Sequence, residues 1–491
     1  MTVELAVVAA LLIGGVPLAA SAGLRGPSVL SVGFVLGSAL AVTVGALLVM
    51  IGLGAPPVLV LPITAGVGVA AGWLDRAWLP TTIRQPPVLG GIGLAVVLVA
   101  LLWRWGAVNL TPDSFRYATT GALLADGRLG EATGSLLLSR GLAVPVLHSP
   151  ANLIGEFHLR SLTPLFAVAT LGVLLWAIRA GLQHARVESS TIVVVQVVAA
   201  ALLMSINRFI FHAFYVNGHM FIAGWLLLLS GSIWLGTART RSPAVVTFAR
   251  CLLVAAVVLA RPDGALLAGL VLLPLLMQRS ETVAVRFAPL LTLGAVTLGW
   301  NVTIARVFQQ EFGVPLEVRG LVVFGAVVVI AAIVLMALPH LLPQKLQLVV
   351  EATLWAAVVV SSARRPDILK DSLRATYRNT LAGEGGWGVS LGVLGVLVLI
   401  VLILSVDPAR SALRFPVTAF VPLSLLLAFL REGAYRVGPG DSLNRMLIHL
   451  VPLAILLLAS AVAAPRWRWM TVSAADDEGS PSHAASSQDV G

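Results

Sequence analysis

Stretches of about 20 mainly apolar residues recur from the first residues of this 491-residue chain almost to its last. At about 1.5 Å per residue, each matches the hydrocarbon thickness of a bilayer. A backbone crossing lipid must satisfy its own hydrogen bonds, so it spans as helices or as a closed barrel. Barrel strands alternate in polarity, whereas these runs are continuous in Leu, Val, Ala, Ile and Gly. The expected fold class is therefore all-α, a polytopic transmembrane helical bundle of about 13–15 spans. With 58% hydrophobic residues, 11% charged residues and a mean hydropathy of +0.97, a wholly water-facing surface is excluded.

The runs place spans at Val3–Ala20, Ser28–Leu53, Val58–Gly72, Val88–Trp105, Leu162–Ile178, Thr191–Ile206 and His219–Leu235. Further runs lie at Cys251–Ala260, Ala265–Met277, Phe287–Ile304, Leu321–Ala337, Leu346–Ser361, Val389–Leu404, Phe415–Leu430 and Met446–Ala463. Glu4 stands where a signal peptide would carry its basic start, so the first run reads as a span. The short runs on either side of Arg261 and Asp263 read as one interrupted hairpin that stops below the far surface. Three regions follow: N-terminal transmembrane helices in 1–84, a core in 85–465 with outward loops 106–161 and 362–388, and a polar tail in 466–491 expected to be disordered.

Basic residues fall on alternate connections: Arg25, Arg76, Arg84, Arg179, Arg186, Arg239, Arg241, Arg250, Arg279, Arg286, Lys345, Arg410, Arg414, Arg466 and Arg468. Cytoplasmic loops retain such charges, so the expectation is a multi-pass plasma-membrane protein with its N-terminus outside and its C-terminus in the cytoplasm. The net charge of +10 then records orientation, not affinity for nucleic acid. A single Cys251 inside an apolar run offers neither a disulfide framework nor a thiolate metal site. One outward loop breaks the charge rule, since Ser362–Gly388 holds Arg364, Arg365, Lys370, Arg374 and Arg378. The i, i+4, i+8 spacing of Lys370, Arg374 and Arg378 lines one face of a helix lying on the membrane, against lipid phosphates or anionic headgroups.

Polar residues gather in the outward loops, which implies a site there. After Asn109, Thr111 reads as an N-cap, Pro112 as the first helical residue and Asp113 as a first-turn acid. Helical spacing puts Asp113 and Tyr117 on one face with Arg116 adjacent. Asp113 either complements the helix dipole or serves as a base or cation ligand at the mouth of the bundle. His148, Glu156, His158 and Arg160 close the same loop as hydrogen-bonding groups. Asn207, Arg208, His212, Tyr215, Asn217 and His219 form a second cluster that also fits an interfacial aromatic belt. Arg261, Asp263 and Arg445 lie close to apolar runs, where ionisable groups must pair or bind something. The alternatives are a mutual ion pair and a phosphate site.

Three of these segments resemble the GT-C superfamily of membrane glycosyltransferases. They are Pro112 to Tyr117 after a span; Leu259 to Leu267, which contains Arg261, Pro262, Asp263 and Gly264; and Gly440 to Pro452, which contains Asp441 and Arg445. The resemblance runs from roughly Arg84 to Ala463 and makes the first three spans an addition to the family core. It implies a bacterial, actinobacterial enzyme that transfers a sugar from a polyprenyl-phosphate carrier to an envelope glycan, lipid or protein on the outer face, with inversion. Asp113 would then be the catalytic base or a ligand of Mg2+ or Mn2+. Tyr117, Arg116, His148, Arg261, Asp263, Arg364, Lys370, Asp441 and Arg445 would bind substrate. Many relatives show paired acids where this chain has Asp113 alone, with Asp126 and Glu131 as candidate second acids. Two other classes remain open: a flippase or transporter of a lipid-linked substrate, and a non-catalytic scaffold of an envelope complex. In every case membrane lipids are partners and nucleic acid is not.

Overall fold

The computed structural model describes residues 2–74, 111–132, 141–237, 240, 242–309, 316–342, 345–404 and 411–463. Helices α1 (Thr2–Ser21), α2 (Ser28–Met50) and α3 (Pro57–Leu74) run back and forth, and α4 (Pro112–Ala125) and α5 (Ala143–His148) lie over one end of them. There Leu124 accepts the Ala55 N–H, and Glu4 accepts the Arg160 N–H at 2.7 Å. The bundle continues through α6 (Leu162–His184), α7 (Ser189–Ser205), α8 (Asn207–Ala213), α9 (Gly218–Leu235), α10 (Pro243–Ala260) and α11 (Gly264–Met277). It closes with α12 (Val283–Gln309), α13 (Leu316–Ala337), α14 (Leu346–Arg364), α15 (Pro366–Thr380), α16 (Val389–Leu404), α17 (Ser411–Leu430), α18 (Ser442–Met446) and α19 (Val451–Ser460).

Among the described residues, ten helices are long and apolar enough to cross a membrane, or eleven if α7 and α8, bent by 76°, make one span. Three shorter apolar helices accompany them: α3, α11 and α16. The chain is a multi-pass membrane protein. Of the expected spans, Val88–Trp105 and the tail 466–491 lie outside the described residues. Long-range hydrogen bonds bring the described parts of the loops around 111–161, 207–218, 261–263, 362–388 and 431–444 to one end of the bundle.

One expectation needs correcting. The run expected at Cys251–Ala260 belongs to a helix that starts at Pro243, capped by Ser242, whose hydroxyl accepts the Val245 N–H. Its 18 residues span about 27 Å, so it is no half of a hairpin stopping short. Arg250, expected in a loop, is buried within α10 and donates to the Ser232 carbonyl at 2.6 Å. Ser232 lies in the last turn of α9, where carbonyls lack helical partners and attract cations. Arg286 repeats the device, donating from Nε to Leu276 O at 3.0 Å in the last turn of α11.

Region 1–84 is continuous with the rest in the part described. Side chains of α1 and α2 belong to the same apolar core as those of α6, α9, α10 and α19. The Trp225 indole donates to Ser38 Oγ at 3.1 Å, tying α9 to α2. Between α1 and α2 the backbones touch: a Cβ on Gly15 would lie 1.8 Å from Gly33 O, and one on Gly37 would lie 1.9 Å from Leu11 O. Small residues at this spacing permit the close van der Waals approach that holds helices together in lipid. Gly37→Val is therefore expected to destabilise the detergent-solubilised protein by about 1–3 kcal/mol, read as a drop in melting temperature. Gly395→Ala, at a position open to its surroundings, leaves the melting temperature unchanged.

Candidate functional site

The N-terminus of α4 forms as its sequence anticipates, with Thr111 at the cap and Pro112 at the first helical position. Ser114 fixes it, accepting the Thr111 N–H at 3.3 Å and donating to the Val216 carbonyl at 3.2 Å. The hydroxyls of Thr111 and Tyr215 meet at 3.1 Å. Asp113 thereby projects from a first turn anchored on the corner before α9. Its Oδ2 accepts from Arg445 Nη1 at 3.2 Å, across 332 positions of chain. Tyr117, one turn further on the same face, is buried.

Arg445 is held by α18, and α18 is held by Asp441. The Asp441 carboxylate caps the helix by accepting the Asn444 N–H at 2.9 Å, and it also accepts the Arg436 N–H at 2.8 Å and Asn379 Nδ2 at 3.4 Å. Asp441 thus sits beside the site as the group that orients Arg445. Asn444 extends the brace, donating to Gly385 O at 3.1 Å and accepting from the Trp387 indole.

Arg261 occupies the turn between α10 and α11. Its Nε donates to Asp263 Oδ1 at 2.8 Å and its Nη1 to His219 Nε2 at 3.1 Å. Burial opposes the Arg261 charge, but Asp263, Tyr117 and Asp113 together outweigh it and raise the guanidinium above its ordinary value. Burial likewise opposes the Asp263 carboxylate, and Arg261, with His449 and Arg431, overcomes it and holds the carboxyl below its usual range. Both groups stay ionised, and Asp113 and Tyr117 lie within electrostatic reach of Arg261.

Three histidine tautomers follow from these partners. A guanidinium can only donate, so His219 Nε2 accepts and its Nδ1 carries the proton, given to His449 Nε2 at 3.0 Å. His449 must then carry its own proton on Nδ1. His212 Nδ1 faces the Arg208 carbonyl at 2.7 Å, which leaves His212 Nε2 as a bare acceptor. Arg208 is buried, donates to the Pro439 carbonyl and lies within electrostatic reach of Arg445. Five buried polar atoms of this cluster have no hydrogen-bond partner among the described residues: Arg208 Nε, Arg445 Nε, His449 Nδ1, His212 Nε2 and Asp263 Oδ2. Such atoms are rare in native proteins, and water, an ion or a polar ligand can complete them.

The segments singled out in the sequence thus converge in part. Asp113, Tyr117, Arg261, Asp263, Asp441 and Arg445 come together at one end of the bundle. Arg116 points away on the exposed face of α4, and Arg364 and Lys370 are exposed at the same end. His148 is buried beneath α4, accepting the Leu159 N–H at 3.2 Å. Arg208, His212, Tyr215 and His219, which also suited an interfacial belt, are part of the cluster. His449 escaped notice, although it follows Arg445 by one helical turn. Comparison with known families, curated proteins and solved structures finds no match. The functional argument therefore rests on this geometry.

A divalent cation does not fit the residues present. No group of three His, Cys, Asp or Glu that could hold a metal occurs among the described residues. Asp113 is engaged by Arg445, Glu131 is exposed and paired with Arg128, and Asp126 lies 13 residues along from Asp113, about 20 Å away at helical rise. Beside Arg261 a cavity of about 20 Å³ opens between Gly141, Val258, Pro262, Trp300 and Asn301. That is room for a single water.

Burial, with His158 second, pushes His148 down to about 3 from an ordinary 6.5. Folded and unfolded chains both carry it neutral at pH 7. Below pH 6.5 the unfolded chain takes up a proton that the folded chain refuses, so stability falls toward pH 3. By pH 5 the loss from this group is about 2 kcal/mol. Melting temperatures measured from pH 7.5 to 4.5 should fall less steeply in His148→Gln than in the wild type.

Proposed function

We propose that this protein is a membrane glycosyltransferase of the GT-C type. It takes a sugar from a polyprenyl-phosphate carrier and passes it to an envelope glycan, lipid or protein on the extracytoplasmic face of the plasma membrane. The observation that carries this reading is one carboxylate, Asp113, paired with Arg445 and within electrostatic reach of Arg261, guanidiniums from two distant segments that meet at one end of the bundle. The alternation of Arg-bearing connections along the sequence supports an outward site, an N-terminus outside and a C-terminus in the cytoplasm.

The chemistry follows from the charges. An acceptor hydroxyl attacks the anomeric carbon from the face opposite the phosphate, forming the new C–O bond as the bond to the phosphate oxygen breaks. The phosphate leaves with the electron pair, and its growing charge is met by Arg445 and Arg261, with Arg208 behind. Once the phosphate draws Arg445 toward itself, Asp113 is free to accept the hydroxyl proton. Tyr117, buried one turn along from Asp113 and within electrostatic reach of Arg261, can orient the sugar. The closed ion pairs and small cavity favour the non-catalytic scaffold as the second reading.

Reconstituted protein offered a radiolabelled polyprenyl-phosphate sugar and envelope extract should transfer label, with a loss of at least about 100-fold in Asp113→Asn. Asp126→Asn, at the far end of α4, should retain transfer. Label that moves across the bilayer without joining an acceptor in either variant would establish a flippase instead.

A further inference from the structure

Helix α15 presents three distinct faces. Ile368, Ser372, Ala375 and Asn379 are buried against the bundle end. There Ser372 Oγ accepts the Tyr435 N–H at 3.2 Å, while Asn379 donates to Arg436 O at 2.8 Å and accepts the Gly438 N–H at 2.7 Å. These bonds fix the helix rotation. A second face shows Leu373, Tyr377 and Leu381 at 50%, 60% and 66% exposure. Beside it lie Lys370, Arg374 and Arg378.

Two cations in this loop are neutralised locally: Arg365 pairs with Asp367 at 3.1 Å and Arg378 with Glu384 at 2.6 Å. Arg364, Lys370 and Arg374 have no carboxylate partner among the described residues and are exposed. These three therefore stand as unneutralised surface cations on one loop at the site end of the bundle. The helix joins α14 and α16, two apolar helices with few buried residues at the rim of the bundle. An apolar stripe flanked by cations, fixed beside rim helices, matches the acyl and headgroup layers of a leaflet.

We propose that α15 is an interfacial docking surface for anionic phospholipid headgroups of the leaflet at the site end. Lys370 and Arg374 hold the lipid phosphate, and Leu373, Tyr377 and Leu381 rest on the acyl boundary. Asn379 binds Asp441, which caps the helix carrying Arg445, so the docked helix braces the charged cluster. The inference stands on α15 alone and holds whether or not the cluster transfers sugar.

The test uses the full chain in neutral maltoside micelles, with Tyr377→Cys in a Cys251→Ser background labelled by an environment-sensitive dye. Short-chain phosphatidylglycerol should produce a saturable blue shift that short-chain phosphatidylcholine does not. Lys370→Gln and Arg374→Gln should each weaken the apparent affinity about fivefold, and together about 25-fold. Both side chains are exposed, so the variants should keep the wild-type melting temperature. Equal responses to the two lipids would overturn the proposal and point to an apolar surface without headgroup choice. Inorganic phosphate competing at matched ionic strength would overturn it in favour of a free-anion site. Unchanged affinity in the double variant would remove the cations from any role.

Discussion

A guanidinium at the edge of a lipid-embedded bundle must find negative charge or carbonyl oxygens, because the surrounding hydrocarbon supplies neither water nor counterion. In this chain Arg445 meets that need with Asp113 and Arg261 with Asp263. The first pair spans most of the protein's length, so it closes the fold as well as forming the site. α4 is anchored by Ser114 and Thr111 on the corner before α9, and Arg445, delivered by an α18 that Asp441 and Asn379 orient, ties it to the far end of the chain. The charged cluster and the packing of the outer segments are therefore one structural problem with one solution.

The two ends of the bundle handle arginine differently. At one end Arg250 and Arg286 donate to the terminal carbonyls of α9 and α11, with Arg250 Nη1 left unpartnered among the described residues. At the other, Arg208, Arg261 and Arg445 meet carboxylates, a carbonyl and imidazoles, and retain unpartnered N–H groups nearby. The histidine tautomers are set by the same guanidinium and by one carbonyl, so the polarity of the network is defined before any ligand arrives. That preorganisation is what electrostatic stabilisation of a leaving phosphate requires.

Much of this was legible in the sequence because lipid imposes a simple rule. The apolar runs among the described residues become helices. The capping residues of α4 were readable for a local reason, as Thr111 and Pro112 act within one turn. What escaped was long-range or masked by composition. The start of α10 at Pro243 was hidden because Arg250 reads as a loop residue until Ser232 is known to receive it. Asp441 looked like a substrate ligand, yet its oxygens are taken by Asn444, Arg436 and Asn379, partners that no local pattern reveals. His449 lay within an apolar run and drew no attention until His219 and Arg261 were found beside it.

The dependence of the fold and the site on one ion pair is open to direct measurement by a double-mutant cycle on melting free energy, using Asp113→Asn, Arg445→Gln and their combination. If the pair closes the bundle end, each single change destabilises and the double variant loses clearly less than the sum, with a coupling of about 1–3 kcal/mol. Strict additivity of the two changes would mean that the aspartate and the arginine do not meet. The common basis of the fold and of the proposed chemistry would then be gone.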